Sequence, residues 1–303
     1  MTLQIVRAGF AAVQDLGRPG YAHLGVPRGG AFDEWALRDG NRLCGNDPSA
    51  AAIEFVLAGP DVRFDDEATV ALTGVPFAAT LDGAAVPFAT TVRVAAGASI
   101  SIGKAIRGAR GLLCIAGGIA TAPVLGSRSV SARAGIGRAL AAGDRIPVGV
   151  RPGSPSAAAI RSIGGDTALG AAVRIVPGPQ PFPDAALETL VSEPYEVTTE
   201  ADRVGVRLDG PPLRDGGGGF EIDPEPVVPG AIQVPGDARP IVLGPDGPAT
   251  GGYPKIATVI RADLWMLAQA RPGDTLRFEI CDPAAARQAL AVRLRETEAS
   301  DDA

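Results

Sequence analysis

No stretch of this chain runs far in one regular conformation, and that limits its possible folds more than any other feature. Between Ala52 and Ile102 the runs Ile53–Leu57, Val62–Phe64, Thr69–Thr73, Ala79–Leu81, Thr91–Val94 and Ser99–Ile102 are separated by turns of Gly, Pro or Asp. Runs of that length suit strands and are too short for packed helices. Leu81–Pro87 carries Asp-Gly between apolar flanks, a pair suited to a two-residue hairpin turn because both positions require positive φ. Gly 40 and Pro 27 recur without a collagen-like period, so turns punctuate the whole chain. Many short strands, frequent turns and few helices predict an all-β barrel architecture.

Taken in order, Leu3–Val6 and Phe10–Val13 read as strands, and Gln14–Asp33 is too rich in Gly, Pro and charge to be regular. Asp33 is placed to cap a helix over Glu34–Cys44 that Gly45 stops. Gly111–Ala116 is fully apolar and reads as a central strand, followed by a polar-tipped loop through Ser127, Arg128, Ser129 and Arg133. Arg151–Asp166 has linker composition. Beyond it, strands are predicted at Val173–Val176 and Tyr195–Thr198, with a short helix from Pro183 and Asp184 to Val191 between them. Gly216–Gly219 reads as flexible. Asp263 is placed to cap a helix through Gln269, Asp274–Ile280 is a closing strand, and Ala284–Glu296 is an amphipathic helix before a frayed acidic tail. Leu140–Val148 and Ala270–Phe278 echo each other, each closing a β-rich half with Gly-Asp and a strand, as two barrels in tandem would. The expected domains are therefore 1–150 and 167–283, with 284–303 as helix and tail.

Charge and motif content exclude several functions. A net charge of −6 disfavours a nucleic-acid or anionic-membrane binder. Cys44, Cys114 and Cys281 lie far apart among apolar neighbours, and a single His allows no thiolate–imidazole zinc set, so no metal site is predicted. The N-terminus has no basic segment leading an apolar one, and the longest uncharged run, Gly111–Ser127, falls short of the ~18–20 residues a span requires. A cytoplasmic protein without membrane association is expected. There is no phosphate-binding Gly-rich loop ending in Gly-Lys-Ser/Thr, no dinucleotide fingerprint and no nucleophile elbow.

The polar loops hold the candidate site residues. Asp15, Arg18, His23, Arg28 and Asp33 share one long loop, and loops of that length are often functional. Asp15 and Arg18 either pair with each other or face a ligand. His23 is either a proton carrier near neutral pH or a structural histidine. Arg28, Arg128 and Lys255 are suited to an anion such as phosphate or carboxylate, or are simply solvated. The strongest stretch is Pro229–Ile260, where strand-like runs lead into Thr250, Gly251, Gly252, Tyr253 and Lys255. Its glycines either turn successive N–H groups into an anion nest or form a plain hairpin with Tyr253 on the sheet. Gln233, on the strand entering this loop, is counted with the substrate- or anion-binding residues. Asp15, His23, Arg28 and Lys255 are the catalytic candidates.

Several blocks in order, VQDLGRPGYAHLGVPRGGAFD, ALRDGNRLCGN, IEF, LTG, IAGGI, LGSRSV, DRVGVRLDGPPL and PGAIQVP…TGGYPKIATVI, span nearly the whole chain. Through them it resembles the family of biotin-dependent carboxyltransferase-type proteins that includes the C subunit of 5-oxoprolinase, KipA and allophanate hydrolase subunit 2. The resemblance implies a mainly β fold of two tandem cyclophilin-like β-barrels with a few short helices. It also implies a KipI-like B subunit and a separate A subunit as partners, and ATP used at the level of the complex to open a small cyclic amide, 5-oxoproline, to glutamate. In that setting Arg28, Arg128 and Lys255 would meet phosphoryl charge, and the Asp15–Asp33 loop would position substrate. Two alternatives come with the same family. One is a carboxyltransferase component acting with carboxybiotin on a urea-like substrate. With only Met1 and Met266, neither before lysine, the biotin would be borne elsewhere. The other is a non-catalytic, regulatory binder of KipI. The chain departs from the usual Asp-Arg-Gln-Thr-Thr-Gly-Gly-Tyr by having Gly247, Pro248 and Ala249, and from the usual Ser-acidic-Gly by Pro224-Glu225-Pro226.

Overall fold

A computed structural model describes residues 1–150, 170–214 and 221–298. The linker candidate Arg151–Asp166, the run Gly216–Gly219 and the end of the acidic tail lie outside the described residues. The chain forms two compact units. The first holds Met1–Arg18 and resumes at Gly29, whereas Pro19–Arg28, inside the first long loop, groups with the second. Among the described residues the fold is mainly β with four α-helices.

The first unit contains β1 (Thr2–Arg7), β2 (Ala11–Gln14), β3 (Ala52–Val56), β4 (Asp61–Phe64), β5 (Ala68–Gly74) and β6 (Phe77–Leu81). It continues with β7 (Ala84–Ala85), β8 (Thr91–Val94), β9 (Ser99–Ala105), β10 (Arg110–Ile115) and β11 (Arg145–Pro147). They build a six-stranded sheet, β11-β1-β4-β9-β6-β7, and a five-stranded sheet, β2-β3-β10-β5-β8. As its sequence predicts, β10 lies in the middle of its sheet with all six residues buried. The Asp-Gly turn closes the β6–β7 hairpin, with Leu81 opposite Ala84 and positive φ at Asp82 (46°) and Gly83 (88°). The sheets meet through Phe55 and Phe77, whose rings pack edge-on at 4.9 Å. Gly111 makes room for both: a Cβ there would lie 2.6 Å from one ring and 2.7 Å from the other.

Helix α1 (Glu34–Leu43) is capped by the Asp33 carboxylate, which accepts from the Ala36 N–H at 3.0 Å, and ends before Gly45, whose φ is 69°. It packs on β5 and β10. The Thr73 hydroxyl donates to Ala36 O at 2.7 Å, and Gly40 allows the close approach, since a Cβ there would meet Cys114 Sγ at 2.4 Å. Asn46 then joins the helix end to the sheet, donating to Ile115 O at 2.8 Å and accepting from Gly117 N at 2.7 Å.

The second unit comprises β12 (Val173–Pro177), β13 (Tyr195–Val197), β14 (Gly205–Asp209), β15 (Glu225–Pro226) and β16 (Ala231–Gln233). It continues with β17 (Ile241–Leu243), β18 (Thr250–Gly251), β19 (Lys255–Val259), β20 (Thr275–Leu276) and β21 (Phe278–Ile280). Eight of these strands make one sheet, β20-β13-β14-β17-β16-β19-β12-β21, antiparallel except for β12 with β21, and β15 pairs with β18 in a small separate ribbon. Its helices are α2 (Asp184–Ser192), α3 (Leu264–Gln269) and α4 (Pro283–Glu298). The expected capping role of Asp263 is not what its carboxylate does. That group binds the Arg174 guanidinium through Nε (2.8 Å) and Nη2 (2.7 Å) and the Arg174 N–H at 3.0 Å, fastening β12 to the start of α3. On α4 the half-buried residues Ala286, Ala289, Leu290, Arg293, Leu294 and Thr297 recur at helical spacing. Arg293 stacks on Trp265, 5.4 Å from its ring centre. No described helix is long and apolar enough to cross a membrane.

Candidate functional site

In the first unit the start of the long loop is a brace. Asp15 is buried, and its carboxylate accepts from Gly17 N (2.8 Å), Ser127 Oγ (2.6 Å), Ser129 Oγ (2.5 Å) and Arg128 N (2.6 Å). The Asp15 N–H returns a bond to Ser129 Oγ at 2.8 Å. Arg18, 1% exposed, does not turn to Asp15; its guanidinium donates to Ser129 O and to Val124 O. Two loops separated by more than a hundred residues are thus locked together by a carboxylate and a guanidinium that each bind the far loop. A buried charge is tolerated when surrounded by donors in this way.

The other loop residues are placed differently. Asp33 is the cap of α1. His23 stands exposed on a one-turn helix, Ala22–Leu24, and Arg28 is half-buried. Arg128 has its backbone fixed by Asp15, while its side chain lines a cavity of about 270 Å³ with Val13, Val124, Val130, Ile136 and Leu140 among its walls.

In the second unit the Thr250–Lys255 stretch is a ribbon rather than a nest. Neither Gly251 nor Gly252 lies in the left-handed region, so the alternation that would converge successive N–H groups is missing. Gly251 pairs with Glu225 in the β15–β18 ribbon, and Gly252 O accepts from Ile222 N at 2.9 Å. Gly251 is needed for closeness instead: a Cβ there would lie 2.5 Å from Nε2 of the buried Gln233. Thr250 and Tyr253 are exposed.

Lys255 is buried, and its ammonium is held by the Glu225 carboxylate. Gln180 clamps the pair, its Oε1 accepting from Lys255 N at 2.9 Å and its Nε2 donating to Glu225. The hydrogen bond from Lys255, and after it that from Gln180, holds the Glu225 carboxyl below its ordinary titration range. The side chain of Lys255 is 7% exposed and that of Glu225 is 40% exposed. An approaching ligand therefore meets a carboxylate backed by an ammonium, a neutral pair that can orient an N–H or a water rather than a bare cation for an anion. Nearby, Arg203 pairs with Asp246 at 2.8 Å, which fixes the turn before Gly247. Sequence reasoning does not place Glu225 or Gln180 in the site. They lie 30 and 75 residues from Lys255, and no local spacing ties them to it.

A family model for the carboxyltransferase domain, subdomain A and B, matches residues 24–280. The chain belongs to this carboxyltransferase family. It is 37% identical over 287 residues to the C subunit of 5-oxoprolinase from Escherichia coli, a match covering 92% of this chain and 91% of that protein. It is 34% identical to the urea amidolyase of Saccharomyces cerevisiae over 88% of this chain but 16% of the enzyme. The crystal structure of the K. lactis urea amidolyase superimposes with a TM-score of 0.90 at 30% identity, over all of this chain and 20% of that one. The chain thus matches one portion of the longer urea amidolyases and nearly the full length of the E. coli protein.

Proposed function

We propose that this chain is the C subunit of a 5-oxoprolinase-like amidohydrolase that opens 5-oxoproline to glutamate, working with a KipI-like B subunit and a separate A subunit in the cytoplasm. The observation that carries this reading is the 37% identity across 91% of the E. coli protein. In the net reaction water adds to the lactam carbonyl, the ring C–N bond breaks, and the nitrogen takes up a proton. A half-exposed carboxylate held by a buried ammonium suits that chemistry: Glu225 accepts a hydrogen bond from an amide N–H or an attacking water, and Lys255 keeps it ionised. Gln180 and Gln233 hold the pair and the ribbon in place.

Several cations of the second unit are already paired with carboxylates and so are poorly placed to hold a nucleoside triphosphate. Among the described residues no group of His, Cys, Asp or Glu could hold a metal ion. Lys255, Arg203 and Arg174 are committed to Glu225, Asp246 and Asp263. ATP use is accordingly assigned to the assembled complex, and the chain alone is expected to be inactive. The carboxyltransferase reading, with carboxybiotin supplied by another protein and a urea-like substrate, draws on the urea amidolyase similarity at lower identity. A regulatory binder of KipI would bind that partner without turnover. Reconstitution with the B and A subunits tests the three. The proposal requires 5-oxoproline-dependent ATP hydrolysis that needs all three chains and falls when Glu225→Gln is introduced. Bicarbonate- and biotin-dependent carboxylation, or partner binding with no turnover, would replace it with one of the others.

A further inference from the structure

We propose that the cavity of the first unit is a binding site for a small monocarboxylate with a compact apolar body, and that Arg128 is its cation. The cavity, about 270 Å³, is at the small end for ligand sites. Much of its wall is hydrocarbon, from Val13, Val124, Val130, Ile136, Leu140 and Ile146. Three arginines line it, and two are occupied. Arg138 grips Asp144 through both nitrogens at 2.8 and 2.6 Å, and Arg145 pairs with Asp65. Arg128 is the third, and its Nε is buried with no hydrogen-bond partner among the described residues. A buried guanidinium N–H without an acceptor is costly and rare in folded proteins, so it marks a place where an acceptor is to arrive.

The geometry around Arg128 is fixed before any ligand binds. Its own N–H is held by Asp15 at 2.6 Å, and the hydroxyls of its neighbours Ser127 and Ser129 are bound to the same carboxylate. The brace thus sets the point from which the guanidinium projects, and preorganisation of that kind reduces the ordering cost of binding. Two further buried polar atoms without partners among the described residues, Gln14 Oε1 and Ser131 Oγ, flank Val130 on this part of the unit. The same commitments select the ligand. A phosphate needs several donors converging on one point, but Ser127 and Ser129 beside Arg128 are engaged with Asp15 and the other two arginines with carboxylates, so one planar guanidinium leads the recognition. That matches one planar carboxylate, with the hydrocarbon walls taking its ring or chain. The site is complete within the first unit and stands whether or not the oxoprolinase reading does.

The test is titration of the full chain with cyclopentanecarboxylate, the uncharged lactam 2-pyrrolidinone, and inorganic phosphate, followed by ligand-observed NMR. The carboxylate should bind at one site per chain, and the lactam and phosphate at least about tenfold more weakly. Arg128→Gln should weaken the carboxylate by about tenfold or more, and Arg128→Lys by less. Val124→Trp, at a half-exposed wall position, should block the cavity while leaving Arg128 in place. Equal binding by Arg128→Gln, no effect of Val124→Trp, no carboxylate binding, or tighter binding of phosphate would each overturn the assignment. Oxoprolinase turnover in the reconstituted complex can fail without altering any of these readings.

Discussion

Replacing Asp15 with asparagine separates a structural carboxylate from a chemical one. The carboxylate takes three hydrogen bonds on Oδ1, from Gly17 N, Ser127 Oγ and Ser129 Oγ, and one on Oδ2, from Arg128 N. An asparagine keeps its oxygen on the three-donor side, which turns its NH₂ toward the Arg128 N–H, donor against donor. Losing one hydrogen bond to a charged acceptor costs about 1.5–3 kcal/mol, and the other three weaken as the acceptor becomes neutral, so a total near 3–4 kcal/mol is expected. For a unit of this size that lowers the melting temperature by roughly 10 °C. Chemical denaturation gives the magnitude, and hydrogen exchange gives the location: protection should fall in peptides covering 13–18 and 124–131 while β16, β17 and β19 keep theirs. His23→Ala, at an exposed position, should change stability by no more than about 0.5 kcal/mol. If Asp15→Asn matched the wild type within about 0.5 kcal/mol yet abolished turnover in the complex, Asp15 would be acting on substrate and the brace argument would be wrong.

Burial pushes the Cys44 thiol up to about 12 and Cys114 well above its ordinary value. A thiol reagent near neutral pH should therefore label Cys281 alone in the native chain and all three after unfolding; rapid native labelling of Cys44 would contradict the packing. Gly40→Ala should lose about 1–3 kcal/mol in denaturant unfolding because its methyl would sit 2.4 Å from Cys114 Sγ, and adding Cys114→Ala should restore part of the loss. The Lys255 bond holds the Glu225 carboxyl below its ordinary 4.5, so Glu225 contributes stability above that pH and loses it as pH falls through the depressed value. In Lys255→Met, NMR titration should find the Glu225 carboxyl moved up toward 4.5; an unchanged titration would show that the pair does not form in solution.

Turn chemistry and strand length were legible because they are local. The Asp-Gly hairpin, the buried central strand β10 and helix α1 with its Asp33 cap follow from neighbouring residues. The faint echo between the two halves is also real in detail. In both, the Asp of Gly-Asp accepts from the N–H three residues back at 2.8 Å, Ala141 in one and Arg271 in the other, and the glycine has φ near 90°. What sequence reading missed was pairing at a distance. Asp15 and Arg18 are three apart and of opposite charge, so mutual pairing was the natural expectation, yet each is claimed by a loop more than a hundred residues away. Lys255 read as a free cation because Glu225 and Gln180 cannot be associated with it by spacing. The Gly251-Gly252 pair read as either a nest or a plain hairpin because glycine permits positive φ; the structure has the paired ribbon, and Gly251 is used for the room it leaves to Gln233.

The departures from the family pattern can now be weighed in physical terms. Gly247 sits where a Cβ would come within 3.0 Å of Gly244 O and 3.2 Å of Val204 O, so a larger residue would need this turn to shift. Its backbone role survives, since Gly247 N donates to Gly244 O and Asp246 remains tied to Arg203. Ala249 keeps its carbonyl bond to Val227 N, and Pro226 still pairs with Thr250 although proline has no N–H to donate. At these positions the ribbon is held by backbone hydrogen bonds and strand pairing. The buried lysine remains, together with a carboxylate and a glutamine to hold it, although desolvating an ammonium opposes folding. A site kept only for docking a partner has no need of that pair, and methionine or leucine would fill the space of Lys255 with less cost. On the proposed amidohydrolase reading, Glu225 and Lys255 are the groups on which the chemistry depends.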